Sequence, residues 1–75
     1  MTTQPPNPLQ DARRKAYREV ILDSAERVFA DRGFEGTRIQ AVADEAGVSV
    51  GTIYGVFASK SELFSAVLTH RLPEL

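Results

Sequence analysis

Gly47-Val48-Ser49-Val50-Gly51 has the Gly-x-Ser-x-Gly spacing of a nucleophile elbow, the turn on which hydrolases expose a reactive serine. That chemistry needs a strand entering the serine, a helix leaving it, and histidine and acid partners on a large sheet. Here the residues on both sides have helical periodicity, and the single histidine, His70, falls in another helical segment. Ser49 is therefore read as a helix cap, its hydroxyl accepting from a backbone amide of the first turn. His70, beside Arg71 near the end of a helix, is read as an ordinary surface residue. The sequence contains no cysteine, so neither a disulfide nor a thiolate metal site is available. Glu19, Asp23, Glu26 and Asp31 belong to the solvated face of one long helix, with no pocket to be argued around them. No catalytic residue, metal ligand or cofactor site is assigned, and an enzyme is not expected.

The glycines carry a different message. Gly47, Gly51 and Gly55 recur at the spacing by which helices pack in membranes, yet no strictly aliphatic run exceeds three residues. A bilayer span needs roughly 20 apolar residues. Inside a short water-exposed helix each glycine costs about 1 kcal/mol relative to alanine, so two of them call for an offsetting role. At roughly 100° per residue, Ile53 and Phe57 face a core flanked by Val50 and Tyr54, while Gly51, Thr52 and Gly55 point away. A face so free of bulk lets the backbone approach another surface closely. The major groove of DNA is one such surface, and a partner helix is another.

Cations are placed to match the first possibility. Arg13, Arg14, Lys15 and Arg18 sit unopposed by acids in the first turns of a helix, where they work against its dipole and a phosphate would offset them. Lys60 begins another helix beside unpaired amides, which together make a small anion site. The overall balance is nonetheless −1, from nine Lys plus Arg and ten Asp plus Glu, whereas nucleic-acid domains are usually basic. Order resolves the conflict, since residues 12–18 hold four cations and no acid, and residues 19–35 hold five acids and two arginines.

Four helices must position these groups. Apolar residues at Tyr17, Val20, Ile21, Ala25, Val28 and Phe29 predict a first helix over about residues 12–32. Gly33 suits the left-handed position after its last turn, with Phe34 folding back as the apolar contact of a Schellman cap. Thr37-Arg38-Ile39-Gln40 has capping-box spacing, and Ile39, Val42, Ala43 and Ala46 continue a short second helix to Gly47. Ser49 then caps a third helix with Val50, Ile53, Tyr54 and Phe57 on one side. Ser59-Lys60-Ser61-Glu62 is a second capping box, leading a fourth helix over about residues 60–71 with Leu63, Phe64, Val67, Leu68 and Leu72, stopped by Pro73. No alternating run long enough for a strand occurs. The class is all-α, with the second and third helices joined by a glycine turn as in a helix-turn-helix. Residues 1–10, with three of the four prolines, are expected as a flexible tail, and residues 11–72 as one domain. At 75 residues, 43% hydrophobic and 25% charged, with no apolar segment at the amino terminus, the expectation is a single globular intracellular domain.

The run from Ala46 to Val67, AGVSVGTIYGVFASKSELFSAV, resembles the signature of the TetR family of bacterial transcription regulators. Ile21, Ala25, Phe29, Gly33-Phe34, Thr37 and Val42-Ala43 are similar to the rest of that family's amino-terminal domain, so the resemblance covers about residues 13–69. It implies a homeodomain-like, three-helix DNA-binding head in which the third helix is the recognition helix and the fourth leads to an effector and dimerisation domain. It further implies that Thr37, Tyr54 and Lys60 grip phosphates, that Gln40, Val50 and Thr52 lie near base edges with Ser49 beside them, and that Gly51 permits close approach. Two positions depart from the pattern, since family members commonly carry a large or polar residue at Gly55 and a histidine or other aromatic at Val56. Base readout then leans on Thr52, on Val50 against thymine methyl groups, and on Arg38 or Gln40.

The function implied is sequence-specific binding of double-stranded DNA by a cytoplasmic, nucleoid-associated repressor that pairs as a homodimer in its full-length form. The few residues after Leu72 could form neither the family's ligand pocket nor its main dimer interface, so neither a small-molecule effector site nor membrane contact is expected in this chain. The rival expectation is a small helical protein-interaction module whose glycine face docks a partner helix.

Overall fold

The structure, a computed structural model, describes residues 8–71 and consists there of four helices, α1 (Pro8–Gly36), α2 (Ile39–Ala46), α3 (Val50–Val56) and α4 (Lys60–Arg71). The all-α expectation holds, with no strand among the described residues. The first seven residues of the expected tail, and Leu72 and Pro73 at the expected end of the last helix, lie outside the described residues.

The first helix starts earlier than its periodicity predicts. Pro8, Leu9 and Gln10, expected in the tail, belong to the helix. A proline in the first turn loses no intrahelical bond and brings a preset φ, so a proline-rich approach is compatible with a helix start. Near the other end, Gly33 breaks the helix with φ 74° and ψ 172°. The positive φ agrees with the expectation, but the extended ψ replaces the left-handed cap with a sharp kink, and helical geometry resumes as far as Gly36. The kink directs Phe34 against Phe64 at 5.1 Å and alongside Phe29 at 6.2 Å between ring centroids.

Ile21, Leu22, Ala25, Val28 and Phe29 form the buried side of α1. Tyr17 and Val20, expected on that stripe, are each 46% exposed, and Leu68 of α4 is also exposed. Periodicity identifies a face but not the length over which neighbours cover it, and among the described side chains of α1 burial begins at Ile21. The fourth helix runs antiparallel to α1, since Lys60 reaches Phe34, Phe64 meets Phe29 edge-on at 4.9 Å, and His70 reaches Asp23. Leu63 and Val67 complete that contact, and Val42, Ala43, Ile53 and Phe57 bring α2 and α3 onto the same core.

Candidate nucleic-acid interface

The turn between α2 and α3 is built from local rules. Gly47 is left-handed at φ 72° and ψ 32°. Its amide donates to the Asp44 carbonyl at 3.3 Å, and the Val48 amide donates to the Ala43 carbonyl at 3.0 Å. This pair of bonds is the Schellman motif, so that cap belongs to the second helix and not, as the spacing at Gly33-Phe34 suggests, to the first. Two residues later Ser49 caps α3, its Oγ accepting from the Thr52 amide at 3.0 Å. A helix precedes Ser49 and its hydroxyl is taken up as a cap, so the strand-to-helix elbow of a hydrolase is not formed.

Rotation along α3 separates Ile53 and Phe57 from Gly51 and Gly55 as expected, whereas Tyr54, expected beside the core, is exposed and Thr52, expected outward, is half-buried. Ile53 and Phe57 are buried, Val50, Thr52 and Val56 are half-buried, and Gly51, Tyr54 and Gly55 are exposed. A Cβ added at Gly55 would meet nothing within 4 Å, and one at Gly51 only the Ser49 Oγ at 3.7 Å, an ordinary contact. Neither position has positive φ. Among the described residues no packing contact therefore requires glycine at either place, and each glycine costs this helix propensity relative to alanine. Tyr54 stands at the border of this smooth face with half its surface free.

The cationic run of α1 lies beside the carboxyl end of the same helix. Arg14 Nη2 donates to the Gly55 carbonyl at 3.3 Å, and the Arg18 guanidinium stands 5.0 Å from the centroid of the Phe57 ring. Arg14, Lys15 and Arg18 line a shallow depression of about 300 Å³ with Val56. The unpaired carbonyls at a helix end carry partial negative charge, which favours Arg14 at the end of α3. Because α1 starts at Pro8, the cations lie beyond its first turn and, contrary to expectation, do not oppose its dipole. Arg13 is exposed and outside that depression.

Two residues expected to hold phosphate are turned inward. Thr37 is 1% exposed, and its hydroxyl donates to the Gly33 carbonyl at 2.7 Å. It cannot cap α2, whose N-cap is Arg38 with no side-chain bond, nor can its hydroxyl reach a surface ligand as it stands. The capping box fails for this reason, and Gln40 instead donates from Nε2 to Asp44 Oδ1 at 2.9 Å. Lys60 is half-buried, with Nζ donating to the Phe34 carbonyl at 2.8 Å and the Thr37 carbonyl at 3.0 Å, 4.3 Å from the Phe34 ring centroid. Two of its three donors bind the end of α1 and the turn that follows it, in place of the open anion site expected at the start of α4. The second box is half formed, the Glu62 amide donating to Ser59 Oγ at 3.1 Å.

Arg38 is exposed and shares a second shallow depression, of about 460 Å³, with Arg32, Gln40, Ala41, Asp44 and Glu45. His70 is not isolated, because its Nε2 lies 3.6 Å from Asp23 Oδ1. Among the described residues no group of three His, Cys, Asp or Glu side chains could hold a metal ion. No described helix is long and apolar enough to cross a membrane. Sequence reasoning missed the bonds of Arg14 and Lys60 because their partners lie 41 and 26 residues away. The one local signal for Arg14 was a cation unopposed near the start of α1.

The chain is similar to known proteins in sequence and fold. The family model described as bacterial regulatory proteins, tetR family, matches residues 21–67. The transcriptional activator FasR of Mycolicibacterium smegmatis is 40% identical over 62 residues, which are 83% of this chain and 28% of that protein. The transcriptional repressor KstR2 of the same organism is 39% identical over 64 residues, 85% of this chain and 30% of that protein. The crystal structure of HlyIIR, a hemolysin II transcriptional regulator, superposes with a TM-score of 0.73 at 37% identity, covering 80% of this chain and 36% of its own. The chain thus spans about 30% of the length of the relatives it matches.

Proposed function

We propose, for a chain that belongs to the TetR family of bacterial regulatory proteins, that its helices bind double-stranded DNA sequence-specifically, α3 entering the major groove of an operator half-site. The observation that carries the reading is the smooth exposed face of α3, where Gly51 and Gly55 have no packing reason to be glycine. Thr52, Val50 and the exposed Arg38 lie at hand for base edges, together with Gln40 once it parts from Asp44. Tyr54, Lys15 and Arg13 supply phosphate contacts, and Arg14 and Arg18 supply them while bracing the end of α3. Lys60 has one donor left for a phosphate. Thr37 supports the interface from beneath, through its carbonyl bond to Lys60.

The mode of action is binding without covalent chemistry, metal or cofactor. Occupying an operator is sufficient to exclude competing proteins, so repression is the regulatory sense proposed. A second copy, paired through the remainder of a full-length protein, would fill the other half-site, and the site of action would be the nucleoid in the cytoplasm. With a formal charge of −1 the domain has little long-range pull on DNA and depends on close fit.

Selection from a random duplex library, followed by a salt titration of the enriched sequence, tests the reading. A recurring motif is expected, with log affinity falling by about 0.9 per log unit of salt for each phosphate contact. Thr52→Ala should change preference at one or two base pairs by about 1–3 kcal/mol without altering the salt slope. No motif and no salt dependence would remove the reading and favour the interaction module, which predicts salt-insensitive binding to a protein partner.

A further inference from the structure

Ser49 and Thr52 are joined twice. The Thr52 amide donates to Ser49 Oγ at 3.0 Å, and the two side-chain hydroxyl oxygens lie 2.9 Å apart. Among the described residues, the hydrogen bonds of the Thr52 hydroxyl go to Ser49 alone. A helical threonine commonly spends its proton on the carbonyl one turn back, and here it does not. The direction of the hydroxyl pair therefore decides what Thr52 offers outward. If Ser49 donates, the Thr52 proton is free to point away from the domain. If Thr52 donates, only its lone pairs remain. Ser49 already accepts an amide proton, and a hydroxyl that accepts one hydrogen bond becomes a stronger donor in the next.

We propose that Ser49 is a positioning residue for base readout: by donating to Thr52 Oγ1 it turns the threonine proton outward, so that Thr52 reads an acceptor in the major groove. The acceptors available there are purine N7, guanine O6 and thymine O4, whereas adenine N6 and cytosine N4 are donors. The proposal rests on the DNA-binding reading above and adds the chemical sense of one contact. Ser49 thus has two separable roles, as the cap of α3 and as the group that sets the polarity of Thr52. The three-residue spacing that satisfies the cap also places the two hydroxyls together, so one residue serves both ends.

Binding of the chain to its selected duplex is measured for the unaltered protein, Ser49→Ala, Ser49→Asp and Thr52→Val, with each base pair varied in turn and each purine replaced by its 7-deaza analogue. The unaltered chain should favour an acceptor edge at one position by about three- to tenfold, the scale of a single hydrogen bond. Thr52→Val should abolish that preference. Ser49→Asp keeps the cap but has no proton to give, forcing Thr52 to donate inward, so the preference should vanish or reverse at that position alone. Ser49→Ala should weaken it. Uniform repulsion by the aspartate lowers affinity on all duplexes alike and cancels in the ratio between bases, and circular dichroism checks that each variant keeps its helices. Equal losses on every duplex from both Ser49 variants, with the preference intact, would reduce Ser49 to a cap. A donor edge favoured by the unaltered chain would overturn the assigned direction. Failure of the unaltered chain to bind any duplex removes the DNA reading itself, a result distinct from either.

Discussion

The α1–α4 pair and the α2–α3 pair are held together by different physics. Between α1 and α4 burial dominates, since Ile21, Leu22, Ala25, Val28 and Phe29 share one buried core with Leu63 and Val67, and Phe29, Phe34 and Phe64 form an aromatic knot at one end. Each fully buried Ile, Leu, Val or Phe side chain contributes about 1.5–3 kcal/mol. In contrast, α2 and α3 have eight and seven residues and bury only Val42, Ala43 and Ile53 within their spans. Such helices are too short to persist on propensity. They are fixed at their ends, by the Schellman bonds at Gly47, the Ser49 cap, the buried Phe57 and the Arg14 bond to Gly55. Burial builds a frame and end contacts aim a head, which leaves the outward face of the head free to be chosen for something other than stability.

The contrast is tested most severely in the frame. Phe29→Ala removes the ring that meets both Phe34 and Phe64 and should lower unfolding free energy by about 3–5 kcal/mol, a large part of what a domain of this size possesses. Thermal melts followed by circular dichroism measure it. A loss below about 1 kcal/mol would mean that the aromatic knot is not what binds α4 to α1.

Lys60 links the two regions and should show the next largest effect. Its ammonium group bonds one carbonyl near the end of α1 and another just before α2. Lys60→Met retains the apolar stem over Phe34 but removes both bonds, with an expected loss of about 1–3 kcal/mol in the absence of DNA. A variant that melts like the unaltered chain and loses affinity equally on all duplexes would return Lys60 to a simple phosphate contact.

How much of this is legible in the sequence follows from how local each cause is. The span of α4, the Ser49 cap and the outward direction of Gly51 and Gly55 depend on residues within one or two turns, and spacing rules find them. The inward turn of Thr37 depends on the kink at Gly33, where a positive φ is predictable for glycine but ψ is not. Tyr17 and Val20 carry the right period yet are exposed among the described residues, because periodicity marks a face without saying which part of it other elements pack against. Arg14 and Lys60 find their partners only after the chain has folded, so local context shows two cations but not the carbonyls they bind.

The smallest expected change is the one that most directly separates frame from head. Gly55→Ala places a methyl group where, apart from the adjoining helix backbone, no described atom lies within 4 Å, at a backbone angle alanine accepts. Relief of the glycine propensity should raise unfolding free energy by about 0.5–1 kcal/mol, seen as a higher melting temperature. Affinity for the selected duplex should fall in the same variant, because that methyl group occupies the space through which the α3 backbone approaches the groove. Opposite signs in the two measurements are the signature of a position kept for contact with another molecule. If stability rises and DNA affinity holds, the smooth face is not the contact surface and Gly55 is merely tolerated. If stability falls, the helix has an internal need for glycine at this place, and the separation of frame from head does not reach as far as α3.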